Sequence, residues 1–279
     1  MVSLRHLLVV GEVPHVRESL AQLLSRPDHS LQSVSKSADA LECLRAEPYD
    51  LVLAGDGANG NDPIKLLRRL HAVRPETKVI VSGDPSPSRA LGAIRARAYG
   101  YVHTPLSEVH VQEMIQQALD AVSWQDDIRV VSGRPEWITL EIQCKLDAAE
   151  RSTHLARELT ADLEPVARED FTAAFRELLL NGIEHGGKSN PRKRVRVSMV
   201  RMPDAILVHM RDPGKGFSLM KIQHAAVCNP DDSPTRHVEI REEKGQRPGG
   251  FGILMARNLV DYLVYNERGN EVFFVKKLT

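Results

Sequence analysis

Through the first 120 or so residues, short apolar runs alternate with segments whose apolar positions recur three and four residues apart. The runs are Leu7–Val10, Leu51–Ala54, Val79–Ser82 and Tyr101–Val102, with a further strand near Leu31–Val34. The segments that follow them are Val16–Leu24, Ala38–Arg45, Pro63–Val73, Ser88–Arg97 and Val109–Val122. A short apolar run bounded by turn formers predicts a strand buried on both faces, and the helical period predicts an amphipathic helix. Pro14 and Pro63 suit first helical turns, where a missing N–H costs nothing. Five β-α units in this order predict a parallel sheet covered on both faces, because every parallel crossover needs a helix.

That order is the flavodoxin-like doubly wound arrangement, assigned here to residues 1–123. The pattern breaks at Trp124–Glu136, WQDDIRVVSGRPE, which mixes charges with a Ser-Gly-Arg-Pro turn and reads as a linker over 124–136. A short strand at Ile128–Val131 could dock on either neighbour. From 137 to 279 the chain reads as a second α/β domain. Ile138–Gln143 alternates as a strand, Ala148–Leu163 is a polar-apolar helix, and Ala205–Met210 is another strand. Arg192–Val197 alternates charge with valine, the pattern of a solvated strand face. Asp170–His185 is apolar around most of its circumference and predicts a mostly buried helix. On that helix Glu177, Asn181 and His185 lie at i, i+4 and i+8 and form one polar stripe. Buried carboxylates and amides need partners, so the stripe faces a ligand, an ion or a polar network.

A chain of 279 residues holds two domains, each large enough to bury a core. Lys plus Arg and Asp plus Glu are equal at 37 each, so nothing in the overall charge recruits nucleic acid or an anionic membrane. The three cysteines, Cys43, Cys144 and Cys228, are far apart and in no CxxC spacing, which argues against a disulfide framework or zinc site. The opening MVSLRHLLVVGEV is too short in its apolar run for a signal peptide or membrane span. A soluble, cytoplasmic protein is expected.

Two glycine clusters carry the chemistry of the second half. Asp212-Pro-Gly-Lys-Gly-Phe217 directly follows the strand Ala205–Met210, and Gly249-Gly-Phe-Gly-Ile253 opens a helix that continues to Asp261. Glycines let a backbone approach a phosphate, and a helix N-terminus offers free N–H donors to an anion. The charged, Pro- and Gly-containing stretch Ser218–Pro248 between them suits a lid that orders over a bound ligand.

ExxxN on a helix, then DxGxG after a strand, then GGxG before a helix resembles the asparagine and glycine boxes of the GHKL ATPases, which include histidine kinases, type II topoisomerases and a class of chaperones. The match spans roughly 138–279 and implies the Bergerat fold, an α/β sandwich. The ending GNEVFFVKKL is similar to the last strand pair of the anti-sigma-factor serine kinase branch. The resemblance implies ATP and Mg as cofactors and assigns roles by position. Asn181 would complete the Mg coordination, Asp212 would accept from the adenine amino group, and Gly214 and Gly216 would let the chain pass beside the base. Gly249, Gly250 and Gly252 would contact the phosphates, and Glu177 would be the general base. His185 reads as a structural histidine, and His154 is set aside as a phosphate acceptor.

The first half, in LLVVGEVP, YDLVLAGD, KVIVSGD and AYGYVHTP, resembles two-component receiver domains over residues 5–122. Aligned on their pattern, the acidic pair falls on Gly11 and Glu12, the phospho-acceptor on Gly55, the hydroxyl on Ser82 and the lysine on Thr104. Asp56 sits one position past the acceptor, and a one-residue slip at a strand end turns a side chain to the other side. It is the remaining candidate for phosphorylation, and no stable aspartyl phosphate is expected; the domain reads as a docking or dimerising module.

Three activities compete on these motifs. A protein serine/threonine kinase would phosphorylate a small regulatory partner resembling an anti-sigma-factor antagonist, with a sigma factor as a second partner and a homodimer as the usual state of the branch. A nucleotide-gated binding module would transfer nothing, and an intact Glu177 weighs against it, because a pure binder needs no base. A histidine kinase would need a dimerising helical hairpin, for which residues 123–147 leave no room.

Overall fold

The computed structural model describes residues 4–11, 29–55, 62–104, 108–216 and 252–278. The helix predicted at 16–24, the candidate acceptor Asp56, Glu12, Gly249, Gly250 and the lid segment 218–248 lie outside the described residues. The chain divides into two compact units, Met1–Gln125 with Glu158–Asp162, and Asp126–Arg157 with Leu163–Thr279.

The first unit is built on five parallel strands: β1 (Arg5–Val10), β2 (His29–Val34), β3 (Leu51–Ala54), β4 (Lys78–Gly83) and β5 (Gly100–His103), ordered β2-β1-β3-β4-β5. The helices described beside them are α1 (Ser37–Ala46), α2 (Pro63–Val73), α3 (Pro87–Arg95) and α4 (Glu108–Asp120). The doubly wound expectation holds for the reason given. β3 is buried along its whole length and β4 along nearly all of it, as apolar strands covered on both faces must be, while β2, with polar Gln32 and Ser33, is the half-exposed edge. Leu7, Leu53, Ile80, Tyr99, Ile115 and Trp124 belong to one core cluster. α3 stops two residues short of the predicted end. Arg97 adopts a left-handed φ of 66° and the Ala98 N–H reaches back to the Ala93 carbonyl, closing the helix in the manner of an αL cap.

The second unit carries a six-stranded, wholly antiparallel sheet in the order β10-β11-β9-β8-β7-β6. Its strands are β6 (Ile128–Arg134), β7 (Trp137–Gln143), β8 (Arg194–Arg201), β9 (Ala205–Arg211), β10 (Tyr262–Tyr265) and β11 (Glu271–Lys277); its helices are α5 (Leu146–Leu159), α6 (Pro165–Asn181) and α7 (Gly252–Leu259). Most of the segment read as a linker is therefore strand. β6 runs through Ser132 and Gly133, absorbs Val131 as a bulge, and turns into β7 over two residues only. The bulge breaks the alternation by which a strand is recognised. Buried Asp127 ties this hairpin to α5 through Lys145 at 2.5 Å and Arg151 at 3.1 Å. One face of the sheet (Ile138, Leu140, Val197, Val208, Met210, Phe274) is buried. Among the described residues, no helix is long and apolar enough to cross a membrane.

Candidate functional site

α6 begins at Pro165, packs Phe171, Phe175, Leu178 and Leu179 inward, and ends in a single π-helical turn, Gly182–Gly186, closed by the Gly187 N–H on the Gly182 carbonyl at 2.8 Å. Such wide turns concentrate at functional sites. The turn ends the α-helical register at Asn181, so the polar stripe stops there, and His185 stands exposed on the turn.

Glu177 and Asn181 both abut the first residue of α7. A Cβ built on Gly252 would stand 2.6 Å from Glu177 Oε2 and 3.7 Å from Asn181 Nδ2, so a larger residue here would push the Glu177 carboxylate aside. Among the described residues, the buried Asn181 Nδ2 has no hydrogen-bond partner. A buried amide left unpaired costs about 1–3 kcal/mol. Since amide O and N are assigned from their surroundings, the group could serve a phosphate oxygen through its N–H or a cation through its oxygen. Among the described residues, no group of three or more His, Cys, Asp and Glu could hold a metal ion. Magnesium fits the site as a cation held by the Asn181 oxygen, with phosphate oxygens and waters completing its shell.

Arg176 is bound to Glu150, at 3.1 Å through Nε and 2.5 Å through a terminal nitrogen, and approaches Glu177 only to 3.7 Å. The arginine thus belongs to Glu150, and the Glu177 carboxylate is left facing the start of α7. Lys276 fixes the relation of the two helices. Its Nζ donates to Asp170 on α6 at 2.8 Å and to the Leu259 carbonyl at the end of α7 at 2.9 Å.

Asp212, just past β9, lies between two backbone segments. Its Oδ1 accepts the Gly214 N–H at 2.7 Å, and its own N–H donates to the Asn270 carbonyl. A Cβ on Gly186 would fall 2.2 Å from Asp212 Oδ1, and one on Gly214 would fall 2.7 Å from it. The acid is therefore cradled by glycines from both sides. Burial raises its pKa, against the Gly214 hydrogen bond and the Arg268 charge, which lower it. Gly216 plays a different part. At φ +82° a Cβ there would strike the Arg268 carbonyl in the β10–β11 turn, so this glycine lets the two loops touch.

Sequence reasoning missed Gly186, Gly187 and Tyr265. The signal for the first two was the Gly-Gly pair directly after the ExxxN helix. Gly187 backs onto buried Cys144, whose thiol is pushed up to about 11 by burial and is therefore an inert packing group. Tyr265 carries a phenol raised by burial and by the Asp212 charge, so it stays protonated near the acid. No alternation or spacing marks it.

In the first unit, Gly11, Gly55, Ser82 and Thr104 meet at the carboxyl ends of four adjacent strands. Two of the four bring no side chain. Ser82 is buried, and the Thr104 hydroxyl donates to the Gly83 carbonyl at 3.3 Å.

Residues 142–276 match the family described as the histidine kinase-like ATPase domain, and residues 7–116 match the response regulator receiver domain. The chain is 27% identical over 177 residues to the response regulator protein PilR of Pseudomonas aeruginosa, across 60% of this chain and 39% of that protein. It is 34% identical over 99 residues to the fimbriae Z protein of Salmonella typhimurium, across 34% of this chain and 47% of that protein. The chain thus spans less than half the length of these curated relatives. Among solved structures, it is similar to a CheY-like response regulator receiver domain protein from Methanospirillum hungatei JF-1, at 24% identity and TM-score 0.38, over 42% of this chain and 95% of that one. It is also similar to a signal receiver domain of an HD domain-containing protein from Pseudomonas fluorescens Pf-5, at 26% identity and TM-score 0.39, over 43% and 90%.

Proposed function

From a chain that carries a response regulator receiver domain followed by a histidine kinase-like ATPase domain, we propose a protein serine/threonine kinase of the anti-sigma-factor type, acting in signal transduction by partner switching. The observation that carries this reading is Glu177, a carboxylate that Arg176 reaches only at 3.7 Å while hydrogen-bonding Glu150, and that is set against the helix start at Gly252. A domain that only gated partner binding with nucleotide would need Asn181 and the glycines but no base there.

In this reading Asp212 orients the adenine by accepting from its amino group, and the start of α7 receives the phosphates through its free N–H groups. Asn181 supplies an oxygen to Mg, which neutralises phosphate charge when bound. Glu177 takes the proton from the acceptor hydroxyl as that oxygen bonds to the γ-phosphorus, and the bond to the departing ADP oxygen breaks with its electron pair. The acceptor is a small regulatory protein resembling an anti-sigma-factor antagonist, and a sigma factor is the second partner. The receiver domain, with glycine where an acceptor belongs, serves as a docking or regulatory module.

The test is incubation of the full chain with labelled ATP, Mg and candidate partner proteins. An acid-stable phosphoester on a partner supports the kinase. Acid-labile label on a histidine of this chain points instead to a histidine kinase, and nucleotide-dependent partner binding without transfer points to a gated binder. Asn181→Ala should weaken Mg-dependent ATP binding at least tenfold by calorimetry, about 1.4 kcal/mol; binding equal to the parent's would remove Asn181 from the site. Acetyl phosphate with Mg should leave the intact mass unchanged, because Thr104 offers no cation to pair with a phosphoryl group. A gain of one phosphoryl group that vanishes in Asp56→Asn would instead make Asp56 a live, shifted acceptor.

A further inference from the structure

The outward face of the six-stranded sheet lies across the sheet from α6, whose Phe171 meets Phe274 on the buried face at 5.7 Å. Its middle is apolar. Trp137, Val200, Leu207, Val275 and Tyr262 stand in one register row over five strands, and Phe273 and Val264 stand in the next. Trp137 is 62% exposed, Tyr262 60%, Val264 61% and Phe273 41%. A contiguous apolar patch of this kind marks an interaction surface. Around it the charge is one-sided. The outward strand positions carry Arg129, Arg134, Arg194, Arg196, Arg211 and Lys277 against Glu141 and Glu271, an excess of four positive charges in a chain whose total is balanced. Glu141 pairs with Arg129, Glu271 pairs with Arg211, and Arg194 donates to the carbonyls of Asp126 and Glu141. Exposed Arg196, between the two ion pairs in the same row, forms no ion pair among the described residues.

We infer that this face docks an acidic amphipathic helix of a protein partner. The uncompensated cations at the rim call for carboxylates, the middle calls for apolar side chains, and an acidic helix with one apolar stripe supplies both. The rings weigh against the other polyanion. His209 and Phe273 are stacked at 4.2 Å and 12° across neighbouring strands, close to the ~4.8 Å strand spacing, so both rings stand upright with their edges outward. Tyr262 has Lys277 over its ring at 5.7 Å. A single-stranded nucleic acid stacks its bases on open ring faces, whereas Val200, Leu207, Val264 and Val275 fit the aliphatic side chains of a helix. The dimensions agree. The row from Trp137 to Tyr262 crosses five strands, roughly 19 Å or about 13 helical residues. One helical turn of ~5.4 Å nearly matches the strand spacing, so carboxylates at i and i+4 come over Arg196 and Arg211 on neighbouring strands. Occupancy of this face does not depend on what the ATP site does.

A displayed library of random peptides about 18 residues long, selected on the full chain and counter-selected on Val264→Glu, tests this. The peptides recovered should carry net negative charge and apolar residues three and four apart. By fluorescence anisotropy, a selected peptide should bind Arg196→Glu and Val264→Glu at least tenfold more weakly than the parent, while both variants keep the parent's melting profile and ATP affinity. The same peptide with its acids changed to lysine should prefer Arg196→Glu to the parent, a reversal that a merely structural effect of the substitution would not produce. A selection that returns no peptide sensitive to Val264→Glu overturns the docking assignment, as do sensitive peptides without acids. An oligothymidylate of about 20 nucleotides that binds more tightly than any selected peptide, and is lost in Arg196→Glu, overturns it in favour of single-stranded nucleic acid.

Discussion

Glu177→Gln should lower phosphoryl transfer to a protein acceptor by about 10²–10⁴ while leaving ATP affinity within about twofold, because a general base acts on the transition state and the amide keeps the ground-state shape. The geometry makes this a clean substitution. Glu177 Oε2 lies against Gly252, where a slightly larger group would collide and an isosteric one would not. Arg176 remains held by Glu150 whatever stands at 177, so no unpaired cation is released into the site. Single-turnover transfer of labelled phosphate, run beside calorimetry with the same nucleotide, separates the two quantities. Equal transfer by parent and variant would leave the base assignment without support. A parallel loss of affinity would instead make Glu177 a binding group, and the kinase reading would then rest on the glycines and Asn181 alone.

The parts of the chain that were legible are those in which one local pattern decides the structure. Apart from the half-exposed edge strand β2, the first unit's strands are apolar runs that cannot be left in water, and the described helices between them have one apolar stripe each, so order and type followed from period. That Glu177 and Asn181 share one face was legible because they are one helical repeat apart, and the structure sets both beside Gly252. What stayed hidden depends on contacts between distant segments. Gly186 is constrained by Asp212, across a strand pair and a loop, and nothing near Gly186 in sequence announces that partner. The π turn was invisible for a related reason. Asp170–His185 continues a helical pattern, and the close fits of Gly182 against Val195 and of Gly187 against Cys144 at that turn involve residues distant in sequence. β6 was read only as far as Val131, because the bulge there and an internal glycine interrupt the period-two pattern, and the pairing to β7 that carries it on to Arg134 is a property of the sheet.

Asp212→Asn should weaken ATP binding by about 10–150-fold, the ~1.5–3 kcal/mol of a hydrogen bond to a charged group, and should leave the nucleotide-free protein as stable as the parent or more so. The two effects have opposite signs because one environment produces both. Burial between Gly186 and Gly214 raises the acid's pKa, so the folded protein disfavours the ionised form, the stronger acceptor for an amino group in the role proposed for it. A folded pKa raised above the unfolded one means that the carboxylate costs stability at pH values above the folded pKa. That cost fades as pH falls through the folded pKa and is gone below the ordinary carboxylate range. The amide carries no charge to bury, and its oxygen can still accept the Gly214 N–H. Melting curves of parent and variant without nucleotide should therefore differ most near neutral pH, with the variant higher, and converge in acid. Calorimetry with ATP should show the reverse ranking at neutral pH. A variant that melts lower at neutral pH would mean that the ionised acid contributes to the fold, through Arg268 or the Gly214 hydrogen bond, more than its burial takes away.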